Sequence, residues 1–376
     1  MRARLEGDYL ALPPPERGEQ TETLSPENLD GEHLNALTTA LDHLLRTELA
    51  EFTYAQIIDG YPTTDSFHQF DWRPDLPDHP VKLHTSLCDG VLEQARAFGA
   101  AFDPLSLRFK PCTLQAFQDQ ALGSQPFHLR LFELLAVSCH QIAVFLFENG
   151  HSRHKQEYDK WRAEQESLKE AGDERYRWRH VPPPVVFYHP EHVDYEQYPR
   201  GFSDVVGYWA EAKIFGGVLL FDRGESDTDC KQVFLHSALL SGPTTIFPPT
   251  VDQLEKLVSF LGLESEDSDA ASTACPLPIL ASKFNRPRWY RYHATKYFHI
   301  FRDKYDSRLP LRFPWPDKLV GKDFPELDDQ LWLMNHEDQV ANDHVPLDEA
   351  AVTAAKHSLK NITPSSPLWG YDGRYL

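Results

Sequence analysis

Histidine and acidic residues crowd the segment HPEHVDYEQ, in which His189, His192 and Asp194 are candidate metal ligands. Neutral imidazole nitrogens suit divalent transition metals, and a carboxylate offsets the charge of the ion. The spacing is weak evidence, because Pro190 indicates a loop and a second H-x-x-H spacing occurs at 151–154 in a chain with 18 histidines. We therefore weigh a polar surface loop above a metal site here.

A second pattern, Asp204 followed by Glu211 and Lys213, resembles the D…E-x-K arrangement of metal-dependent nucleases. There, two carboxylates hold a divalent ion and the lysine stabilises charge on a phosphate. On a strand, Glu211 and Lys213 would share one face. The pattern predicts candidate catalytic residues of a phosphodiesterase, although a solvent-facing Glu/Lys pair on a sheet is the interpretation we favour.

A third pattern is a basic segment with interleaved aromatic residues, which has ten Lys or Arg and three Asp between residues 283 and 318. Basic groups beside aromatic rings can hold an anion and stack against a flat ligand. The alternative, which we weigh higher, is an aromatic stripe in the core with arginines paired to the acidic remainder. The candidate ligand-binding residues are Arg288, Trp289, Arg291, Tyr292 and Lys296.

Composition limits the partners and the compartment. The net charge of −20 disfavours bulk nucleic acid and anionic membranes as partners. Five widely spaced cysteines without a C-x-x-C pair disfavour a disulfide framework or a zinc knuckle. With no apolar leader at the N-terminus, we expect a cytoplasmic protein that is not secreted, with the nucleus left open.

The elements that must position these residues follow from hydrophobic spacing. Helices are predicted over 32–58, 89–99, 113–122, 129–149, 152–175, 251–261, 288–305 and 347–359. Because charged and polar side chains leave 129–149 only a short uninterrupted apolar run, below the roughly 18 residues that a membrane span needs, it indicates a buried core helix. Short β-branched and aromatic runs between 181 and 240, including 204–221, predict a small sheet.

This order predicts an α+β fold: a helical N-terminal half packed on a small, mostly antiparallel sheet, followed by C-terminal helices. We expect a flexible arm at 1–28 and one domain at 29–365, helical at 29–178, a sheet at 181–240, and helical or irregular at 250–365. A tail follows at 366–376. The chain has neither G-x-G-x-x-G nor a P-loop, so no cofactor can be named.

The segment PRGFSDVVGYWAEAKIFGGVLLFDRGE, at 199–225, resembles a segment that recurs in a family of filamentous-fungal proteins. The resemblance covers the predicted sheet, weakens beyond it, and is not specific in the first 180 residues. It implies a fungal intracellular protein, in some cases encoded near biosynthetic genes, and it implies no reaction and no catalytic residue.

The leading functional hypothesis is a soluble intracellular protein that binds an anionic or aromatic small molecule or assists a metabolic pathway. One alternative is a metal-dependent phosphodiesterase or nuclease that uses Asp204, Glu211 and Lys213. Another is a non-catalytic protein-interaction module. Three structural features would distinguish these hypotheses. A pocket lined by arginine and aromatic residues would support ligand binding, converging carboxylates would support the phosphodiesterase, and a broad apolar patch would support the interaction module.

Overall fold

The structure is a computed structural model. It describes residues 22–69, 79–150, 152–172, 183–226, 228–237, 239–263, 274–303, 306, 321–342 and 346–369. Most of the predicted arm, at 1–21, most of the predicted tail, at 370–376, and much of the basic segment beyond residue 303 lie outside these ranges.

Across the described residues the chain forms 12 α-helices and one four-stranded antiparallel sheet, which confirms the predicted α+β class. The elements in chain order are α1 (Gly31–Leu45), α2 (Glu48–Asp59), α3 (Thr64–His68), α4 (Val91–Ala101), α5 (Pro111–Gln118), α6 (Gln125–Asn149), α7 (Arg153–Glu170), α8 (Phe202–Phe215), β1 (Val218–Asp222), β2 (Val233–His236), β3 (Ile246–Phe247), α9 (Val251–Phe260), α10 (Arg291–Tyr297), β4 (Ile300–Phe301), α11 (Glu326–Asn342) and α12 (Glu349–Lys360).

The N-terminal part differs from the prediction in two places. Leu24 exchanges backbone hydrogen bonds with Phe109, so the chain is already packed before the end of the predicted arm. The helix predicted over 32–58 is two helices, because Thr47 caps α2 by accepting a hydrogen bond from the N–H of Ala50. Apolar spacing continues across that break, so it gives no sign of the interruption.

The core helix is α6, which packs against α8 and against α1, α2 and α5. Leu131 and Leu135 are fully buried and Ile142 nearly so, whereas Phe145, which the apolar spacing also places in the core, is 53% exposed. Among the described helices, α6 is the one whose length and hydropathy would suffice to cross a membrane. In its most apolar window 72% is buried inside the fold, as a core helix requires.

The strand predicted over 204–215 is wrong: these residues belong to the helix α8. Every residue from Ser203 to Phe215 is buried, so α8 is buried around its whole circumference and its apolar residues show no 3.6-residue period. A short, fully buried run of this kind cannot be assigned to helix or strand from periodicity. The region 181–240 is therefore part helix and part sheet.

The sheet has the strand order β3-β2-β1-β4, with Leu220 of β1 opposite Phe234 of β2 and Phe221 opposite Phe301 of β4. From Val218 to Phe221 every side chain of β1 is buried, because α8 and α6 pack against this strand. The helix predicted over 288–305 is correct only for α10. His299 then adopts a left-handed φ of 53°, and the chain turns into β4.

Candidate functional site

Four side chains from three separate parts of the chain meet at one point beside the end of α2. They are Asp59, His84, Cys88 and His154, and their ligand-type atoms all lie within 4.8 Å of one another. Asp59 and His84 are buried, His154 is half-buried and Cys88 is exposed. Carboxylate oxygen, imidazole nitrogen and thiolate sulfur together form a donor set typical of zinc.

The close approach of α7 to the end of α2 brings His154 to Asp59. The hydroxyl of Ser152, which caps α7, donates a hydrogen bond to the carbonyl oxygen of Asp59. Gly60 ends α2 with φ +93°, and a Cβ there would overlap the Ser152 hydroxyl and lie 2.6 Å from its Cβ. Only glycine tolerates both this φ and this contact, so Gly60 is required for the arrangement.

The other two ligands come from the segment that follows the 3₁₀ turn at 80–83. The carbonyl oxygen of His84 accepts a hydrogen bond from the N–H of Thr64, at 2.8 Å. The backbone N–H of Cys88 donates to Oδ2 of Asp59, also at 2.8 Å. These backbone contacts hold both side chains against the end of α2.

The hydrogen bonds of the two imidazoles fix which nitrogen faces the centre. Nδ1 of His84 lies 2.9 Å from the carbonyl oxygen of Pro62, and Nδ1 of His154 lies 3.0 Å from a carboxylate oxygen of Glu157. Because a carbonyl and a carboxylate can only accept, both Nδ1 atoms donate and both Nε2 atoms point inward. Metal-bound histidines in proteins almost always have such an outer partner.

The distances between the inward atoms are close to those around a tetrahedral ion. Nε2 of His84 lies 3.0 Å from Oδ2 of Asp59, and Nε2 of His154 lies 3.3 Å from Sγ of Cys88 and 3.8 Å from Oδ1 of Asp59. Ligands at about 2.0–2.3 Å from Zn²⁺ in a tetrahedron are separated by roughly 3.3–3.7 Å. The 3.0 Å contact is shorter and the 3.8 Å separation slightly longer than this range, so the four side chains could hold one ion after small adjustments.

The same contacts govern protonation in this group. Burial by itself would raise the pKa of Asp59 and lower that of His84, but their mutual hydrogen bond prevails, so the pKa of Asp59 is lowered and that of His84 raised. The carboxylate of Asp59, and secondarily burial, raise the pKa of the Cys88 thiol. An ion at the centre would replace the protons on His84 and Cys88, as expected for metal binding.

The predicted ligands His189 and His192 do meet, but with His236 and not with Asp194, and all three rings are buried. Nε2 of His189 donates to the carbonyl oxygen of His236, at 2.9 Å, and its Nδ1 accepts from the N–H of Glu191, at 3.1 Å. Both nitrogens of His189 are therefore already engaged. Burial lowers the pKa of all three, that of His189 to about 3, so the rings are neutral.

This histidine triad, His189, His192 and His236, could hold a metal by its spacing, but its ligand charge is zero. In contrast, the carboxylate of Asp59 and a thiolate at Cys88 would balance the two charges of Zn²⁺. The group at Asp59 is therefore the better candidate metal centre. Metal binding by His189, His192 and Asp194 stays a prediction.

Asp204 and Glu211, predicted as metal ligands, instead bind the two ring nitrogens of His140 at 3.0 and 2.8 Å. Glu211 also pairs with Arg302. The ring of His140 packs against Gly207, where a Cβ would come within 2.6 Å of its nitrogens. This network is close to charge-balanced and joins α6, α8 and β4.

Lys213 points elsewhere, because residues two apart on a helix project about 200° apart. Its Nζ donates to the hydroxyl of Ser66, at 3.1 Å, and to the side chain of Gln69, at 2.7 Å. Burial lowers the pKa of Lys213 to about 8. The three residues of the D…E-x-K pattern thus do not converge, and a phosphodiesterase centre there stays a prediction without geometric support.

The five predicted ligand-binding residues differ in how deeply they are buried. Arg288 and Arg291 are buried, whereas Trp289, Tyr292 and Lys296 are half-buried. Trp289 exchanges two backbone hydrogen bonds with Ile246 of β3, which attaches this segment to the edge of the sheet. The structure therefore gives the predicted aromatic stripe a partly structural role.

Sequence reasoning missed the group at Asp59, because its ligands lie up to 95 positions apart and converge only through tertiary contacts. Two signals existed: the H-x-x-x-C spacing of His84 and Cys88, and the second H-x-x-H spacing, which contains His154.

Comparison of the chain with protein-family models, with curated proteins and with solved structures finds no match.

Proposed function

We propose that the protein binds one zinc ion through Asp59, His84, Cys88 and His154, and that this ion fastens α7 and the segment 79–90 to the end of α2. The observation that carries the proposal is the orientation of the two imidazoles. Each is held through Nδ1 by an acceptor outside the group, so both Nε2 atoms face the carboxylate and the sulfur. Nε2 of His84 faces Asp59 and Nε2 of His154 faces Cys88, so each ring presents a ligand nitrogen to the centre of the group.

The donor set favours a structural role over a catalytic one. Four protein ligands complete the tetrahedron, whereas catalytic zinc sites keep one position for water or substrate. The site also lies where the end of α2, the segment after the 3₁₀ turn and the start of α7 meet. A zinc ion there contributes its binding free energy to holding these parts together.

The experiment is to measure the zinc content of the purified protein and of four variants. The parent should contain about one zinc per chain. Cys88→Ala and His84→Ala should lose it, because each removes an inward ligand. Cys112→Ala is the matched control, since Cys112 is also an exposed free cysteine but lies on α5, outside the group. It should keep its zinc.

Addition of a strong chelator should lower the unfolding temperature of the parent and of Cys112→Ala but not of Cys88→Ala. A parent that neither contains nor takes up zinc contradicts the proposal. So does zinc that survives Cys88→Ala and is lost in His236→Ala, because it would place the ion in the histidine triad.

A further inference from the structure

The helix α11 exposes a stripe of apolar side chains to solvent. Leu331 is 58% exposed and Met334 is 52% exposed. Together with the half-buried Leu327 they follow the spacing i, i+4, i+7, so these side chains lie along one side of the helix. Leu333 and His336 project to the opposite side and are buried, and α12 packs against α11. The helix therefore has two apolar sides, of which one is open to solvent.

Two more exposed apolar side chains lie near this stripe, at the contact with α12. The ring of Trp332 stacks on that of His336, with 4.9 Å between the ring centroids. Leu347 precedes Asp348, whose backbone N–H donates to Nε2 of His336 at 3.2 Å. A single exposed apolar side chain is ordinary, but several on one stretch of surface indicate an interaction site. We call this set the α11 surface: Leu331, Trp332, Met334 and Leu347.

The charge around the α11 surface has one sign. From 323 to 355 the sequence has nine Asp or Glu and no Lys or Arg. On α11, Asp329 pairs with Arg286, whereas Asp328, Glu337 and Asp338 are exposed and make no ion pair with another described residue. These three carboxylates lie within one turn of the exposed apolar side chains. The apolar stripe is thus bordered by negative charge that the described part of the chain does not neutralise.

This charge determines which occupant fits. A second copy of the chain would bring the same carboxylates together, and like charges across an interface are strongly unfavourable. Nucleic acid and anionic membranes are repelled for the same reason. A helix with an apolar side bordered by Lys or Arg complements both the stripe and the carboxylates, and helices pack on one another along such stripes.

We propose that the α11 surface is a docking site for a basic amphipathic helix of another protein. The apolar side of the partner helix packs on Leu331, Trp332 and Met334, and its Lys or Arg side chains pair with the exposed carboxylates of α11. The proposal is independent of the zinc centre, because none of the four zinc ligands lies on α11 or α12.

The test measures binding of a fluorescently labelled peptide that repeats the heptad LKKLLKL, whose leucines and lysines lie on opposite sides of a helix. Fluorescence anisotropy at physiological salt gives its Kd, which should be about 10 µM or tighter for the parent protein. A peptide with glutamate in place of lysine keeps the apolar side and should not bind. A peptide with serine in place of leucine keeps the charge and should bind at least about tenfold more weakly.

The double variant Leu331→Gln/Met334→Gln should bind the lysine peptide about tenfold more weakly than the parent, because it removes the apolar contact. Val251→Gln/Leu280→Gln is the matched control, since Val251 and Leu280 are 71% and 54% exposed but lie outside the α11 surface. The control should bind the peptide as the parent does. Because all four side chains are exposed, both double variants should unfold at the parent temperature.

The proposal is overturned if the lysine peptide does not bind the parent, if the glutamate or the serine peptide binds as tightly, or if the two double variants have equal affinities. Sedimentation of the protein alone supplies one further check. Self-association of the parent that disappears in Leu331→Gln/Met334→Gln would also overturn the proposal, because it would assign the α11 surface to a second copy of the chain.

Discussion

At the scale of single residues, His140 is an imidazole held as a cation within the core. Burial by itself would lower its pKa, but hydrogen bonds to Asp204 and Glu211 raise it to about 9. Asp204 is fixed in turn by the backbone N–H of Arg200, at 2.8 Å, and Glu211 by Arg302. The cationic ring thus connects α6 to two acidic positions on α8.

This arrangement predicts that the protein loses stability at alkaline pH. The folded pKa of about 9 exceeds the ordinary value of 6.5, so the stabilisation is complete below about pH 6.5 and is lost as the pH rises through 9. The shift corresponds to about 3 kcal/mol as an upper bound. In denaturant titrations, the free energy of unfolding of the parent should fall between pH 6.5 and 9.5, relative to that of His140→Gln.

The surface variant His357→Gln is the control, because His357 is exposed at the end of α12. Its stability should follow that of the parent across the whole range. Parallel pH profiles for the parent and His140→Gln would show that the ring is not held as a cation.

At the scale of elements, the turn between α2 and α3 determines whether the zinc ligands can meet. Gly60→Ala should destabilise the protein and weaken zinc binding, because the new methyl group meets a left-handed φ and also displaces Ser152 at the start of α7. Isothermal titration of metal-free protein with zinc would measure the loss of affinity.

Gly123→Ala is the control, because it introduces backbone strain at a positive φ without a steric contact. Gly123 also has a positive φ, of 71°, but a Cβ there would meet nothing within 4 Å. This variant should lose some stability and bind zinc as the parent does. Equal zinc affinities for Gly60→Ala and the parent would argue against the described approach of α7 to α2.

The elements show which features the sequence could predict. Amphipathic helices such as α1, α4 and α9, and the strands β1 and β2, follow from spacing, because one face is apolar or the run is short and β-branched. The helix α8 could not be distinguished from a strand, because all its sides are buried. That error also misplaced Glu211 and Lys213 on a common face.

The zinc ligands were not predicted, and the histidine triad only in part, for a related reason. His189 and His192 are near neighbours in sequence and do meet, whereas the third member of their group, His236, arrives through the strand β2. The zinc ligands depend on the path of α7 back to α2, a tertiary contact that no local pattern encodes. Arg291 was predicted as a ligand contact from its type, but its lack of a counter-charge is visible only in the fold.

At the scale of the whole molecule, two groups of buried charges in the described part of the chain are held in ion-pair networks. Glu133 pairs with both Arg130 and Arg223, and Glu211 with His140 and Arg302, so the net charge of −20 resides mainly at the surface. Among the described residues, Arg288 and Arg291 are buried without an ion pair. The group at Asp59 lies where the end of α2, the segment after the 3₁₀ turn and the start of α7 meet, and an ion there would join all three.

X-ray absorption at the zinc K-edge of the zinc-loaded parent tests the central claim most directly, because it reports the atoms bound to the ion. The proposed ligands predict one sulfur at about 2.3 Å and three nitrogen or oxygen atoms at about 2.0–2.1 Å, with the multiple scattering of two imidazoles. Cys112→Ala should give the same spectrum. A first shell without sulfur, or one with three imidazoles, would contradict the assignment of zinc to Asp59, His84, Cys88 and His154.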